Sequence, residues 1–223
     1  MLLSILLPMK TAVLLSFYSL NLTLSFGQSQ EEKLSYINNK NEVIRELIDN
    51  GALRQYYTCY NCSPSEKGTL TFYYNSSELK HILHQYTLGR ISYKDEYYIW
   101  NNELFFQLST HTIKYPGYQD RTVNFGQITE VTLTIEDQYY FNNGEPIKCE
   151  TKSIESRNGQ DNTAPIVYTA SQAINCKTID KITKKYNLLL EYQNKHIKNP
   201  CDLSRTIPKI IPFDFINNDL NSN

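Results

Sequence analysis

Three times along this chain an aromatic run meets a pair of turn-forming residues and then a glutamate or its equivalent start of a new run. The segments are Phe72-Tyr73-Tyr74-Asn75-Ser76-Ser77-Glu78-Leu79, Tyr97-Tyr98-Ile99-Trp100-Asn101-Asn102-Glu103-Leu104 and Tyr139-Tyr140-Phe141-Asn142-Asn143-Gly144-Glu145-Pro146. Asn, Ser and Gly at the middle positions tolerate the positive φ of a two-residue hairpin turn. The flanking aromatic residues suit a pleated, half-buried surface. These units predict hairpins carried by one antiparallel sheet.

Period-two alternation extends that reading. Leu70, Phe72 and Tyr74 alternate with Thr69, Thr71 and Tyr73 from Gly68 onward. Further strands are expected over about 78–88, 91–100 and 103–114. Pro116-Gly117 breaks the pattern, so 115–126 reads as a loop. Val131, Leu133 and Ile135 mark a fifth strand, and a sixth runs over about 146–154 from Pro146, which suits a strand start or an edge. Residues 56–63 form a strand-like stretch ending at Pro64, outside these six. The polar stretch 155–172, with Gly159 and Pro165, reads as a loop.

Two segments have helical spacing instead. Leu34, Ile37, Ile44, Leu47 and Ile48 define a stripe within 29–50, closed by Asn50-Gly51. Ile179, Ile182, Tyr186, Leu189 and Leu190 define another over about 178–196, with Thr178 as N-cap and Asn199-Pro200 beyond its end. Amphipathic helices need an apolar surface to cover. The expected fold is therefore α+β: a six-stranded antiparallel meander, twisted or partly curled, with an N-terminal and a C-terminal helix packed on one face.

The first 27 residues read as a secretory signal. Lys10 precedes the apolar run Thr11-Ala12-Val13-Leu14-Leu15-Ser16-Phe17-Tyr18, and Ser25-Phe26-Gly27 suits cleavage before Gln28. Met9-Lys10 is an alternative start to Met1. The apolar run is interrupted by Asn21 and Thr23, so no transmembrane segment is expected after signal removal. A single domain is expected over 28–200, and an extended or disordered tail over 201–223. The expected location is exported, either periplasmic or extracellular.

Five cysteines remain: Cys59, Cys62, Cys149, Cys176 and Cys201. An exported chain can pair them as disulfides, and an odd number leaves one thiol over. Spacing does not set the connectivity. A formal net charge of −1 gives no reason to expect nucleic acid as a partner.

The segments Gly68-Thr69-Leu70-Thr71-Phe72-Tyr73, 96–106 and Tyr139-Tyr140-Phe141-Asn142-Asn143-Gly144 resemble uncharacterised secreted proteins of Gram-negative bacteria. Those carry repeated Tyr-Tyr-Phe-x-Asn-Gly-x-Leu hairpins between a short first helix and a closing amphipathic helix. The resemblance spans roughly 30–195. It departs at Asn102, where Gly is usual, at Pro146, where an apolar strand residue is usual, and in its five cysteines. It implies a fold and an exported location, and brings no functional residues.

Cys59-x-x-Cys62 could be a thiol–disulfide exchange pair, but it precedes a Ser-Pro turn rather than opening a helix, and a structural disulfide is the simpler reading. His81 and His84 lie three apart on an expected strand, so their rings point to opposite faces and do not share a metal. His111 and His196 read as surface residues. Glu78, Glu103 and Glu145 sit just past turns, where a carboxylate is solvated. No Gly-rich phosphate loop, nucleophile elbow or metalloprotease helix occurs. No metal ligand set, cofactor or catalytic residue is therefore assigned.

Eighteen tyrosines are the one feature with binding content. Tyr73, Tyr98, Trp100 and Tyr140, if they share the sheet face away from the helices, would form an exposed aromatic platform for a protein, peptide or glycan. The expectation is a non-enzymatic binding or interaction module of the cell envelope. The alternatives are a thiol–disulfide protein using Cys59 and Cys62, or a carrier enclosing an apolar ligand between sheet and helices.

Overall fold

A computed structural model describes residues 29–118, 128–157, 166–174, 176, 179–194 and 201. The expected signal segment, most of the tail and His196 lie outside the described residues. The elements run α1 (Gln30–Asp49), β1 (Arg54–Ser63), β2 (Glu66–Asn75), β3 (Glu78–Leu88), β4 (Ile91–Trp100), β5 (Glu103–Tyr118), β6 (Ile128–Asn142), β7 (Glu145–Arg157), β8 (Ile166–Ala173) and α2 (Ile179–Gln193). All strands join one antiparallel sheet in the order β1 to β8.

The class and the antiparallel meander are as the alternation predicts, but the sheet has eight strands rather than six. β1 forms on the stretch before Pro64, pairing with β2 from Arg54 opposite Tyr74. β8 forms where a loop is expected over 155–172, and β7 itself continues to Arg157. Residues 169–173 of β8 are exposed, so this part of the strand is held by its ladder with β7 rather than by a buried face. No alternation signal marks such a strand. β5 likewise continues through Pro116 and Gly117 to Tyr118, where loop is expected. Pro116 keeps register opposite Glu130.

α1 begins with a capping box. Ser29 Oγ accepts from the Glu32 amide at 3.2 Å, and the Ser29 amide donates to Glu32 Oε2 at 3.1 Å. Gly51, at φ 65°, turns the chain out of the helix, and its amide donates to the Ile48 carbonyl.

The hairpins β2–β3, β4–β5 and β6–β7 close in the same way. Asn75 faces Glu78, Trp100 faces Glu103 and Asn142 faces Glu145 across two-residue turns. Ser76, Asn101, Asn102, Asn143 and Gly144 take positive φ there. Two residues past each glutamate the register skips one position: Lys80, Phe105 and Ile147 have no partner. A bulge of this kind turns two successive side chains to one side of the sheet. Phe105 and Phe106 accordingly both pack with α1.

The helices cover opposite faces, which corrects the expectation of one shared face. Ile37 and Ile44 of α1 pack with Tyr98, Phe105, Phe106 and Tyr140. Tyr186 and Leu189 of α2 pack with Leu70, Ile82, Tyr97 and Ile99. Tyr97 and Tyr98 are neighbours on β4 and so point to opposite sides, yet each is only 1% exposed. Both faces of the central strands bury large side chains, and each needs its own cover.

Gly68 of β2 permits one long-range contact. A Cβ there would lie 2.5 Å from the ring of Tyr60 and 2.8 Å from the Gln85 carbonyl. Tyr60 crosses β2 at this point and places its hydroxyl 2.7 Å from His84 Nε2 on β3. Gly68→Ala is expected to destabilise the protein by about 1–3 kcal/mol through overpacking, as read by urea unfolding. Thr69→Ala beside it serves as the control.

Candidate functional site

On the α2 side, register brings four polar side chains into one row: His84 on β3, Asp95 on β4, Ser109 on β5 and Asp137 on β6. Tyr86, Tyr93 and His111 form the next row. Tyr86 and Tyr93 stack with ring centres 4.7 Å apart. Tyr97, Gln107 and Tyr139 form the row on the other flank.

Lys185 descends from α2 into this array. Its ammonium bonds Asp95 Oδ2 and sits 4.5 Å from the centre of the Tyr86 ring. The Tyr86 hydroxyl also donates to Asp95 Oδ2, at 3.2 Å, and Ser109 donates to Oδ1. Asp95 and Lys185 are 4% and 6% exposed. Burial alone would raise the Asp95 carboxyl, but the Lys185 ammonium, the Ser109 hydroxyl and His84 outweigh it and hold it below its ordinary value. Burial draws Lys185 down, and Asp95 opposes that. His84 is held well below the ordinary histidine value by burial and by Lys185.

Serine, histidine and aspartate meet here without forming a nucleophile. A catalytic serine gives its proton to histidine, which the carboxylate orients from behind. Here Ser109 lies between the other two. Its one proton goes to Asp95, so His111 Nε2, 3.2 Å from Ser109 Oγ, must be the donor to that oxygen. His111 is 8% exposed, and burial lowers its pKa. The expectation that it is a surface residue is thus corrected: it faces α2 from β5, opposite Tyr93.

Between α2 and this array lies a small cleft of about 50 Å³, with Tyr93, Tyr139, Gln107, Asp137 and Lys181 around the Asp95–Lys185 pair. Gln107 is 2% exposed, and its Oε1 has no hydrogen-bond partner. A buried amide oxygen without a donor costs stability. Beside it, Leu70, Ile82 and Leu189 are fully buried and Tyr97 nearly so. The layer there is close-packed.

Comparison with known protein families, characterised proteins and solved structures finds no match. The reading therefore rests on the geometry of this chain.

The residues singled out from sequence fall elsewhere. Tyr73, Tyr98 and Tyr140 do share a face, in a row with His81 and Phe106. That face is the one α1 covers. The three rings are 8%, 1% and 7% exposed, and Trp100 packs at the edge of the same cluster. The exposed platform is thus corrected to a buried aromatic row. His81 lies in it and His84 lies on the opposite face. Among the described residues no cluster of His, Cys, Asp and Glu could hold a metal ion. Cys62 pairs with Cys201, and Cys149 with Cys176. Cys59 is exposed and free, so Cys59 and Cys62 are not a pair in this form. Among the described residues no helix is long and apolar enough to cross a membrane.

Asp95, Gln107 and Lys185 escaped the sequence reading. Their signals are faint: a carboxylate between Tyr93 and Tyr97 at period two, and a lysine inside the helical stripe of Ile182, Tyr186 and Leu189.

The α1 face has its own polar cluster. Arg45 donates to the Tyr98 hydroxyl, which donates to Glu96 Oε2; Lys94 lies 2.7 Å from Glu96 Oε1. His81 Nε2 lies 3.6 Å from Glu96. Burial would raise Glu96, but His81 and Lys94 bring it down to about 2. Burial lowers His81. Both folded-state values lie below the ordinary 6.5 of histidine and 4.5 of glutamate, so the unfolded chain takes up protons first. Stability is expected to fall as pH drops below 6.5, and to fall further from 4.5 towards about 2. Urea midpoints across this range should show Glu96→Gln flattening the lower part of the slope.

Proposed function

We propose that this is an exported, non-enzymatic binding protein of the cell envelope or exterior, and that the cleft beneath α2, about 50 Å³ in volume, receives one projecting hydroxyl group of a neutral, hydroxyl-rich ligand such as a saccharide, the rest of which stays outside it. The observation that carries the reading is the Gln107 amide oxygen, buried and without a donor beside a cleft of about 50 Å³ that has room for a single hydroxyl group. Charge sets the ligand class. Asp95 and Asp137 stand against Lys181 and Lys185 around one space, so a free anion or cation meets its own sign as well as its opposite. A hydroxyl both donates and accepts, and gains from each without that conflict. The Tyr93 and Tyr139 rings add apolar wall, as in pockets where a few polar groups fix orientation. Export is supported by the amino-terminal sequence and by two disulfides, which persist in oxidising compartments.

Gln107→Leu tests this. It removes the unpartnered acceptor and keeps the volume. It is expected to stabilise the fold by about 1–3 kcal/mol while weakening saccharide binding at least tenfold in calorimetric titration. A stabilised variant that binds as wild type would sink the assignment of the site.

A further inference from the structure

The sheet begins at β1, so the outer backbone groups of β1 have no strand beside them among the described residues. Natural edges are usually blunted by lysine, proline or a bulge. β1 is ten residues long, has no proline or lysine, and carries its single charge at Arg54. Its pairing with β2 is unbroken from Arg54 to Asn61, and the register shifts only at its end, between Asn61 and Ser63. Alternation divides its side chains. Thr58 and Tyr60 face the α2 side, contacting Tyr192 and His84. Tyr57 and Cys59 face the other side, where α1 packs mainly over β4, β5 and β6. Tyr57 is 64% exposed, and Cys59 is an exposed free thiol that donates to the Tyr57 hydroxyl.

We infer that the β1 edge is a homodimer interface: a second copy of this chain adds its own β1 antiparallel across a two-fold axis, and the two Cys59 thiols close a disulfide. The strand is suited to itself. Cys59 is its sixth residue of ten, so pairing centred there aligns 57–61 of both copies within the regular part of the strand. Tyr57 then faces Asn61 of the second copy, and Thr58 faces Tyr60. No charged residue lies between Gln55 and Ser63, so no like charges meet. Residues directly opposite in an antiparallel pair have Cα atoms about 4.5 or 5.5 Å apart, and both separations lie within the span of a disulfide. The two Cys59 side chains fall on the same face. The other four cysteines are already paired, which leaves this thiol for an intermolecular bond.

The oxidant is a low-molecular-weight disulfide. One Cys59 thiolate attacks it, forming a mixed disulfide and expelling one small thiolate. The Cys59 thiolate of the second copy attacks the protein sulfur of that mixed disulfide and expels the other. Each expelled thiolate takes up one proton, matching the two lost by the cysteines, and the small disulfide is reduced to two thiols.

The test is incubation of the full chain with oxidised glutathione, followed by native mass spectrometry, peptide mapping and amide hydrogen exchange. The expected product has twice the monomer mass, a Cys59–Cys59 linked peptide, and slowed exchange over 55–61. Tyr57→Lys/Asn61→Lys places lysines opposite each other at two exposed positions. It should fold as wild type and cross-link at least tenfold more slowly at low salt. A monomer carrying glutathione on Cys59 would overturn the proposal. So would a monomer whose β1 amides are already protected by another part of the chain, or a double-lysine variant that cross-links at the wild-type rate.

Discussion

Replacing Lys185 by Met is expected to destabilise the protein by about 3–5 kcal/mol at neutral pH. The substitution keeps the length of the side chain and removes its charge, leaving the Asp95 carboxylate buried with only the hydroxyls of Tyr86 and Ser109 to hold it. A buried charge without its counterion costs far more than the pair contributed. The loss has a pH signature. Without Lys185, burial dominates and lifts the folded-state value of Asp95 above its ordinary 3.8. The penalty is then full above the raised value and shrinks as pH falls from there towards 3.8, because the carboxyl enters the fold neutral. Asp95→Leu combined with Lys185→Met removes both charges and is expected to recover most of the loss. Urea unfolding of the single and double variants at neutral and acid pH measures this. A single variant as stable as wild type at neutral pH would show that Asp95 and Lys185 are not a buried pair.

Removing the Cys62–Cys201 disulfide is the second large effect. The bond spans 139 residues of sequence and ties the end of β1 to a residue beyond α2. Closing a loop of that length restricts the unfolded chain, and its loss through Cys62→Ser/Cys201→Ser is expected to cost about 5 kcal/mol. The Cys149–Cys176 bond spans 27 residues, so Cys149→Ser/Cys176→Ser is expected to cost about 3.5 kcal/mol. Unfolding midpoints of the two double variants, compared with fully reduced wild type, check both size and order. Equal costs would mean that loop length does not govern the stabilisation.

The parts of the fold that were legible in the sequence are those where one residue type answers one backbone demand. Asn101, Asn102, Asn143 and Gly144 stand at turn positions with positive φ, and such residues signal a two-residue turn without help from the rest of the chain. Leu34, Ile37, Ile44 and Ile48 mark α1 because a helix buries a stripe. β8 was hidden because its described side chains, residues 169–173, are exposed, and the exposed part of an edge strand needs no hydrophobic pattern. The placement of the helices was hidden for a different reason. Tyr97 and Tyr98 look alike in the sequence whichever face each covers, and tyrosine suits both wet and buried surfaces. The same ambiguity made Tyr73, Tyr98 and Tyr140 look like a platform when they form a row beneath α1.

The candidate site was nearly invisible because its parts are far apart. Asp95 and Lys185 are 90 residues apart, and neither stands in a local motif. They meet only because the meander sets β4 centrally and α2 returns across it. Gln107 signals nothing locally; it matters because its oxygen is buried without a donor.

The most direct test of the site is NMR mapping of the full chain titrated with a panel of neutral mono- and disaccharides. The expected result is a set of shift changes concentrated at Gln107, Asp137, Lys181 and Lys185 on the α2 face. Changes confined to the α1 face or the β1 edge, or none with any sugar at millimolar concentration, would contradict it.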